Sequence, residues 1–215
     1  MHNIAIVTGN FKGLGKNISE QLESWGYQKP DLTRSADYNL CNPEDSKKLI
    51  EDTIKKYGQI DLLVNNVGNY VTGYIDELSI ESWQQMQDSN LNSAFYLCKY
   101  ALPYLRQSKG KIINIGYCSL NKASPEPEYF AYHIAKSGLL LLTKTLAKAE
   151  AKHGITVNMI SPGSMENTIE DHSVLSRIPI GRFASLDEVS RSIKFIVDND
   201  YITGQNLEIA GGRGL

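Results

Sequence analysis

The sequence predicts a single α/β domain over residues 1–215, built on a doubly wound, mostly parallel sheet with helices on both faces. Two observations predict it. Residues 4–7, 60–64 and 155–160 are short apolar-rich runs of the kind that form buried parallel strands, and helical stretches lie between them. The first run also leads straight into Thr8-Gly9-Asn10-Phe11-Lys12-Gly13-Leu14-Gly15 and then an amphipathic segment through Trp25. Strand, glycine-rich turn, helix is the order that aims backbone N–H groups and a helix N-terminus at a diphosphate. A side chain at the glycine positions would block that approach.

The remaining elements follow in order. Residues 26–35, with Pro30 and several polar side chains, make a poor second strand. Pro43 stands near the start of a helix running to about Tyr57. The strand at 60–64 ends in the turn Asn65-Asn66-Val67-Gly68. A helical segment runs from about Ser79 to Gln107 and contains Asn90, a residue mildly unfavourable inside a helix and in need of a reason. Residues 129–153 form a long helix closed by Gly154. Its run Leu139-Leu140-Leu141-Leu142 is apolar all round and predicts burial on more than one face.

Composition excludes several classes. With 41% hydrophobic and 21% charged residues the chain reads as a soluble globular protein of one substantial core. A net charge of −2 gives no footprint for nucleic acid or an anionic membrane. The sequence shows no basic leader and no apolar run of about 20 residues, which predicts a cytoplasmic protein that does not span a membrane. Cys41, Cys98 and Cys118 are scattered without metal-ligand spacing and read as reduced thiols, so no metal site is predicted.

The chemistry centres on Phe130-Ala131-Tyr132-His133-Ile134-Ala135-Lys136. Tyr132 and Lys136 are four apart and share a helix face. A free tyrosine titrates near pH ~10. A neighbouring ammonium favours the phenolate and should pull that value down, so the pair can exchange a proton with a carbonyl oxygen near neutrality.

TGxxxGxG at the first turn, followed by NNxG at 65–68, Asn90, YxxxK at 132–136 and PG at 162–163, resembles the short-chain dehydrogenase/reductase family over the whole chain. The resemblance implies a Rossmann-like fold and a bound nicotinamide dinucleotide. It places Gly9, Asn10, Phe11, Lys12, Gly13 and Leu14 at the diphosphate, and Thr33 and Arg34 at the ribose hydroxyls and 2′-phosphate. Asp31 would contest that pair if the register slips by two. Arg34 and Lys12 stand where users of NADP(H) carry basic residues, so NADP(H) is expected over NAD(H). Asn39 and Leu40 correspond to the adenine contact, with asparagine replacing the usual aspartate; Asn66, Val67 and Gly68 line the cofactor cleft. Tyr132 and Lys136 hold the ribose as well as the proton, and Asn90 links the lysine to solvent at a local helix distortion. Pro162, Gly163 and Asn167 (Asn where a threonine is usual, with Thr168 next) belong to the nicotinamide end.

Two departures stand out. The second strand and the helix after it are cut short, which makes a compact member. After Lys111-Ile112-Ile113-Asn114-Ile115-Gly116 the family's catalytic serine is replaced by Tyr117. Strand register assigns that role to Tyr117, whereas the thirteen-residue spacing to Tyr132 assigns it to Ser119. The family also implies a last strand at 206–209, a helix at 186–197, and a homodimer or homotetramer assembled through the long helices. The expected activity is reduction of a small-molecule carbonyl or C=N group, with Tyr132 as proton donor. A pterin-type reductase and a catalytically silent NADP(H)-binding protein are the alternatives.

Overall fold

The computed structural model describes residues 3–28, 38–122, 125–167 and 172–215. Thr33 and Arg34 lie outside the described residues, as do Asp31 and Thr168. The strands β1 (Asn3–Val7), β2 (Tyr27–Gln28), β3 (Leu62–Asn65), β4 (Lys111–Ile115), β5 (Thr156–Pro162) and β6 (Asn206–Ile209) form one parallel sheet in the order β2-β1-β3-β4-β5-β6. Of the segment expected to make a poor second strand, the described residues Tyr27 and Gln28 pair with β1.

Strand register places Ile6, Leu63, Ile112 and Val157 side by side on one face. There they bury against α2 (Pro43–Tyr57), α4 (Ser93–Ser108) and α5 (Phe130–Glu150), chiefly through Leu49, Leu97, Leu105 and Ala147. Side chains alternate along a strand, so Val7, Val64 and Ile113 face the other way. They meet Leu14, Ile18 and Leu22 of α1 (Gly13–Ser24) and Val189 and Ile193 of α6 (Leu186–Val197). β1 has β2 on one side and β3 on the other, so the connections after β1 and β2 run to opposite sides of β1. The crevice at the carboxyl ends of β1 and β3 is therefore the switch point at which such sheets bind ligands.

Local sequence sets the helix ends. Asn42 caps α2 by accepting from the Glu44 N–H at 2.8 Å, and Gly58 closes it at φ 79°. The segment expected from Ser79 to Gln107 is in three pieces: α3 (Ile80–Gln87), a π-helical turn Asp88–Asn92, then α4. The Ser89 and Ser93 hydroxyls donate to the Gln85 and Ser89 carbonyls at 2.7 and 2.8 Å, holding that wider turn. α5 ends at Glu150 and continues as a 3-10 turn to Gly154, which is left-handed as expected. Leu139 and Leu140 are buried but Leu141 is 67% exposed, so within one protomer the leucine run is not covered all round.

A buried polar chain ties the sheet to α5. Asn65 Nδ2 donates to Asn114 Oδ1, Asn114 Nδ2 to Thr143 Oγ1, and Thr143 Oγ1 to the Leu139 carbonyl, each at 2.8 Å. Asn114→Ala takes from the Asn65 amide its oxygen acceptor, leaving the Cys98 sulfur at 3.5 Å, and opens a gap under α5. The expected cost is roughly 2–5 kcal/mol, read as a lower urea midpoint.

Candidate active site

A cleft of about 700 Å³ opens at the switch point, lined by the glycine turn, Asn39 and Leu40, Asn66 to Gly68, and Asn167. Its size suits a small-molecule or cofactor site. Gly9 and Gly13 have φ of 65° and 53°, a region that disfavours other residues. A Cβ on Gly15 would lie 2.2 Å from the Gly9 carbonyl oxygen, so the turn and the start of α1 close on each other only through glycine. Lys12 precedes α1 without a side-chain cap, and the first turn of α1 carries no acid, which leaves its N–H groups to an anion. Thr8 Oγ1 accepts from the Asn66 and Val67 N–H groups at 2.9 and 3.0 Å, and Asn66 Nδ2 donates back to the Thr8 carbonyl at 3.0 Å. The two sides of the crevice are thereby locked together.

The residues expected at the cleft fall into two groups. Phe11, Lys12, Gly13, Leu14, Asn39, Leu40, Val67 and Gly68 do line it. Asn10, Pro162 and Gly163 do not. Pro162 and Gly163 pair with β6 and the segment after it, where a Cβ on Gly163 would lie 2.9 Å from Ala210 Cα. Asn167 reaches the glycine turn, its Nδ2 lying 3.0 Å from where a Gly13 Cβ would be.

Tyr132 and Lys136 point the same way from α5. Lys136 is buried; its Nζ donates to the Ile115 carbonyl at 2.8 Å and stands 5.7 Å from the centre of the Tyr132 ring. With the ammonium over the ring rather than at the hydroxyl, the expected lowering of the tyrosine pKa is not found. Burial, with Tyr70 and Cys118 nearby, pushes the Tyr132 phenol up, while burial lowers Lys136 to about 8. Tyr132 therefore holds its proton firmly at neutral pH, the state from which a donor in a reduction begins. Asn90 sits in the π-helical turn, its Nδ2 bonded to the Asn69 and Met86 carbonyls at 2.9 and 3.1 Å. Its buried Oδ1 has no partner among the described residues. A Cβ on Gly68 would lie 2.2 Å from that Oδ1 and 3.3 Å from Lys136 Nζ. An unpaired acceptor and an ammonium thus face one small space, which only glycine leaves open.

Tyr117 and Ser119 diverge. The Tyr117 ring lies 5.2 Å from that of Tyr132 and its hydroxyl is hydrogen-bonded to His133 Nδ1. Ser119 is left-handed at φ 74° and turns its Oγ toward Gly214. Strand register, not sequence spacing, predicts which of the two stands beside Tyr132. Tyr70 and Tyr129 complete a ring of aromatics, Tyr70 edge-on to Tyr132 at 5.1 Å and Tyr117 edge-on to Tyr129 at 6.2 Å.

The sequence profile of the family described as enoyl-(acyl carrier protein) reductase matches residues 4–213. The chain belongs to the short-chain dehydrogenase/reductase family. It is 31% identical to 3-oxoacyl-(acyl-carrier-protein) reductase FabG of Haemophilus influenzae, over 97% of each chain. It is 29% identical to the putative oxidoreductase YtkK of Bacillus subtilis, over 97% of this chain and 95% of that one. The crystal structure of a blue fluorescent protein from a metagenomic library, in complex with NADPH, shares the fold with a TM-score of 0.89 at 22% identity, covering 99% and 98% of the two chains. As a short-chain dehydrogenase/reductase the protein is an oxidoreductase with a Rossmann-like fold.

Sequence reasoning does not reach His133. The available signal is the substitution itself, because a half-buried phenol in place of a serine hydroxyl calls for its own hydrogen-bond partner.

Proposed function

We propose that the protein is an NADP(H)-dependent reductase of a carbonyl or C=N group. The observation that carries this reading is the convergence of Tyr132, Lys136 and the unpaired Asn90 oxygen beside a glycine-turn cleft of dinucleotide size. The relatives named as 3-oxoacyl-(acyl-carrier-protein) reductases support the same chemistry. The bare N–H groups of α1 and the glycine cradle fit a dinucleotide. When bound, NADPH supplies the hydride. Tyr132 then gives its proton to the substrate oxygen or nitrogen, and Lys136 beneath the ring supports the negative charge left on the phenol. Asn90 and Lys136 together shape the route by which a proton returns from solvent. The Tyr117 ring and the aromatic walls orient the substrate.

Lys12 is exposed on the glycine turn and, with Arg34, would neutralise a 2′-phosphate. Lys12→Glu and Arg34→Asp should each weaken NADPH binding roughly tenfold or more and leave NADH nearly unchanged. Equal losses for both cofactors would place the phosphate elsewhere. The reading as a whole is tested by mixing the chain with NADPH and a panel of ketones, 3-oxoacyl thioesters, imines and pterins. Loss of the NADPH absorbance band with at least one of them supports reduction; tight NADPH binding with no turnover anywhere supports the silent alternative.

The second copy of this chain is the partner we propose for the apolar side chains left exposed on the long helices, Phe95 on α4 and Ile134 and Leu141 on α5. Sedimentation at micromolar concentration should give a dimer or tetramer, and Leu141→Glu should shift it toward monomer.

A further inference from the structure

Tyr117 is held by a partner on the helix that carries Tyr132. Its hydroxyl is hydrogen-bonded to His133 Nδ1, and the two rings meet nearly edge-on at 6.0 Å between centres and 77°. His133 is fixed in turn in the first turn of α5, its N–H donating to the Tyr129 carbonyl at 3.0 Å. One proton lies in the Tyr117–His133 bond, and the side that gives it decides what the phenol has left to offer. A phenol is a far better acid than a neutral imidazole N–H, and an imidazole nitrogen is the better base. The bond is therefore assigned with the Tyr117 hydroxyl as donor and Nδ1 as acceptor, which puts the ring hydrogen on Nε2. Burial, with Tyr129, Glu126, Tyr132 and Cys118 nearby, pushes the phenol up, so it keeps a proton to donate.

A hydroxyl that has given its only hydrogen away can offer nothing but lone pairs. A serine in that position is free to donate to a substrate carbonyl, whereas Tyr117 is committed to His133. We infer that the Tyr117–His133 pair acts as a hydrogen-bond acceptor in the substrate site and selects flat, conjugated compounds that carry an N–H or O–H donor beside the carbonyl or imine carbon to be reduced. Flatness follows from the walls. Tyr70 and Tyr117 pack on Tyr132 with ring centres 5.1 and 5.2 Å apart, and Tyr129 packs on both at 6.3 and 6.2 Å, so the surface offered beside Tyr132 is built of ring faces and edges, which a flat ring covers better than a flexible chain. In this scheme Tyr117 touches the substrate and His133 is a positioning residue that fixes the direction of its hydroxyl. The inference rests on the reductase reading above.

Two measurements on the full chain test it. In long-range proton–nitrogen NMR of 15N-labelled protein, His133 is identified by its loss in His133→Asn. Its Nδ1 should read as an unprotonated, hydrogen-bonded nitrogen and should move toward the free-imidazole position in Tyr117→Phe. A protonated Nδ1, or no movement in Tyr117→Phe, overturns the inference whatever the activity. The second measurement is calorimetric binding of isatin and N-methylisatin, planar ketones that differ in one N–H donor, to the chain loaded with NADP+. The wild type should bind isatin roughly five- to tenfold more tightly. His133→Asn, whose Oδ1 stands in for Nδ1, should keep the preference; His133→Leu and Tyr117→Phe should lose it. Absence of the preference in the wild type, its survival in His133→Leu, or failure of both ketones to bind overturns the inference. Turnover of other carbonyls alongside such a result leaves the reductase reading standing, and the expected NMR signature without turnover of any substrate removes the reductase reading alone.

Discussion

Tyr132→Phe abolishes reduction while leaving NADPH affinity within a few-fold of wild type. General acid catalysis by one side chain contributes roughly 10²–10⁴-fold, and at this site a single hydroxyl carries it. Phenylalanine keeps the ring that packs edge-on to Tyr70 and beside Tyr117. The hydroxyl has no hydrogen bond to another described residue, so its removal should change stability by less than about 1 kcal/mol. The cleft is lined by the glycine turn, the residues just before α2, the Asn66–Asn69 turn, Ser89 and Asn167, and not by Tyr132. The measurement is NADPH consumption with the best substrate of the panel, set beside NADPH titration by fluorescence. Activity in the variant within threefold of wild type would mean that another group supplies the proton.

Lys136→Met should also lose roughly 10²-fold or more in turnover, yet be no less stable than wild type at pH 7. The reason is the burial of the ammonium. Lys136 falls from 10.5 to about 8 on folding because burial disfavours its charged form. A lysine whose folded pKa lies below its unfolded one weakens the fold wherever the unfolded chain holds the extra proton. That penalty, about 3 kcal/mol, is complete below pH 8, shrinks between 8 and 10.5, and is gone above. Methionine removes it but leaves the Ile115 carbonyl without its donor, a loss of about 1–3 kcal/mol. The net change at pH 7 should lie between zero and about 2 kcal/mol in favour of the variant. Urea denaturation at pH 7 and pH 10 checks it: the gap between variant and wild type should narrow or change sign as pH rises. A variant several kcal/mol less stable at pH 7 would show that the ammonium supports the fold instead of straining it.

Most of the framework is legible in the sequence because it depends on neighbours along the chain. Asn42-Pro43 and Gly58 bracket α2, Gly154 ends the α5 region, and the apolar runs become the central strands. The distorted turn at Asn90 is legible through the family resemblance and not from an asparagine in a helix alone. What the sequence does not show depends on depth and on contacts between distant segments. The tyrosine pKa moves opposite to expectation because burial outweighs a lysine that lies over the ring, and neither depth nor ring position is written in a four-residue spacing. The choice between Tyr117 and Ser119 turns on one left-handed residue after β4. The Asn65–Asn114–Thr143 chain and the Tyr117–His133 bond join segments 16 to 49 residues apart, and only the folded sheet brings them together.

The most direct test of the account is a crystal structure of the chain with NADPH. The account predicts the diphosphate on the glycine turn before α1, and the nicotinamide ring beside Tyr132 with its reactive carbon and the Tyr132 hydroxyl facing one gap. A carbonyl placed in that gap would lie roughly 3–3.5 Å from each. A nicotinamide bound away from Tyr132, or a gap filled by the Tyr117 ring with the cofactor in place, would contradict it.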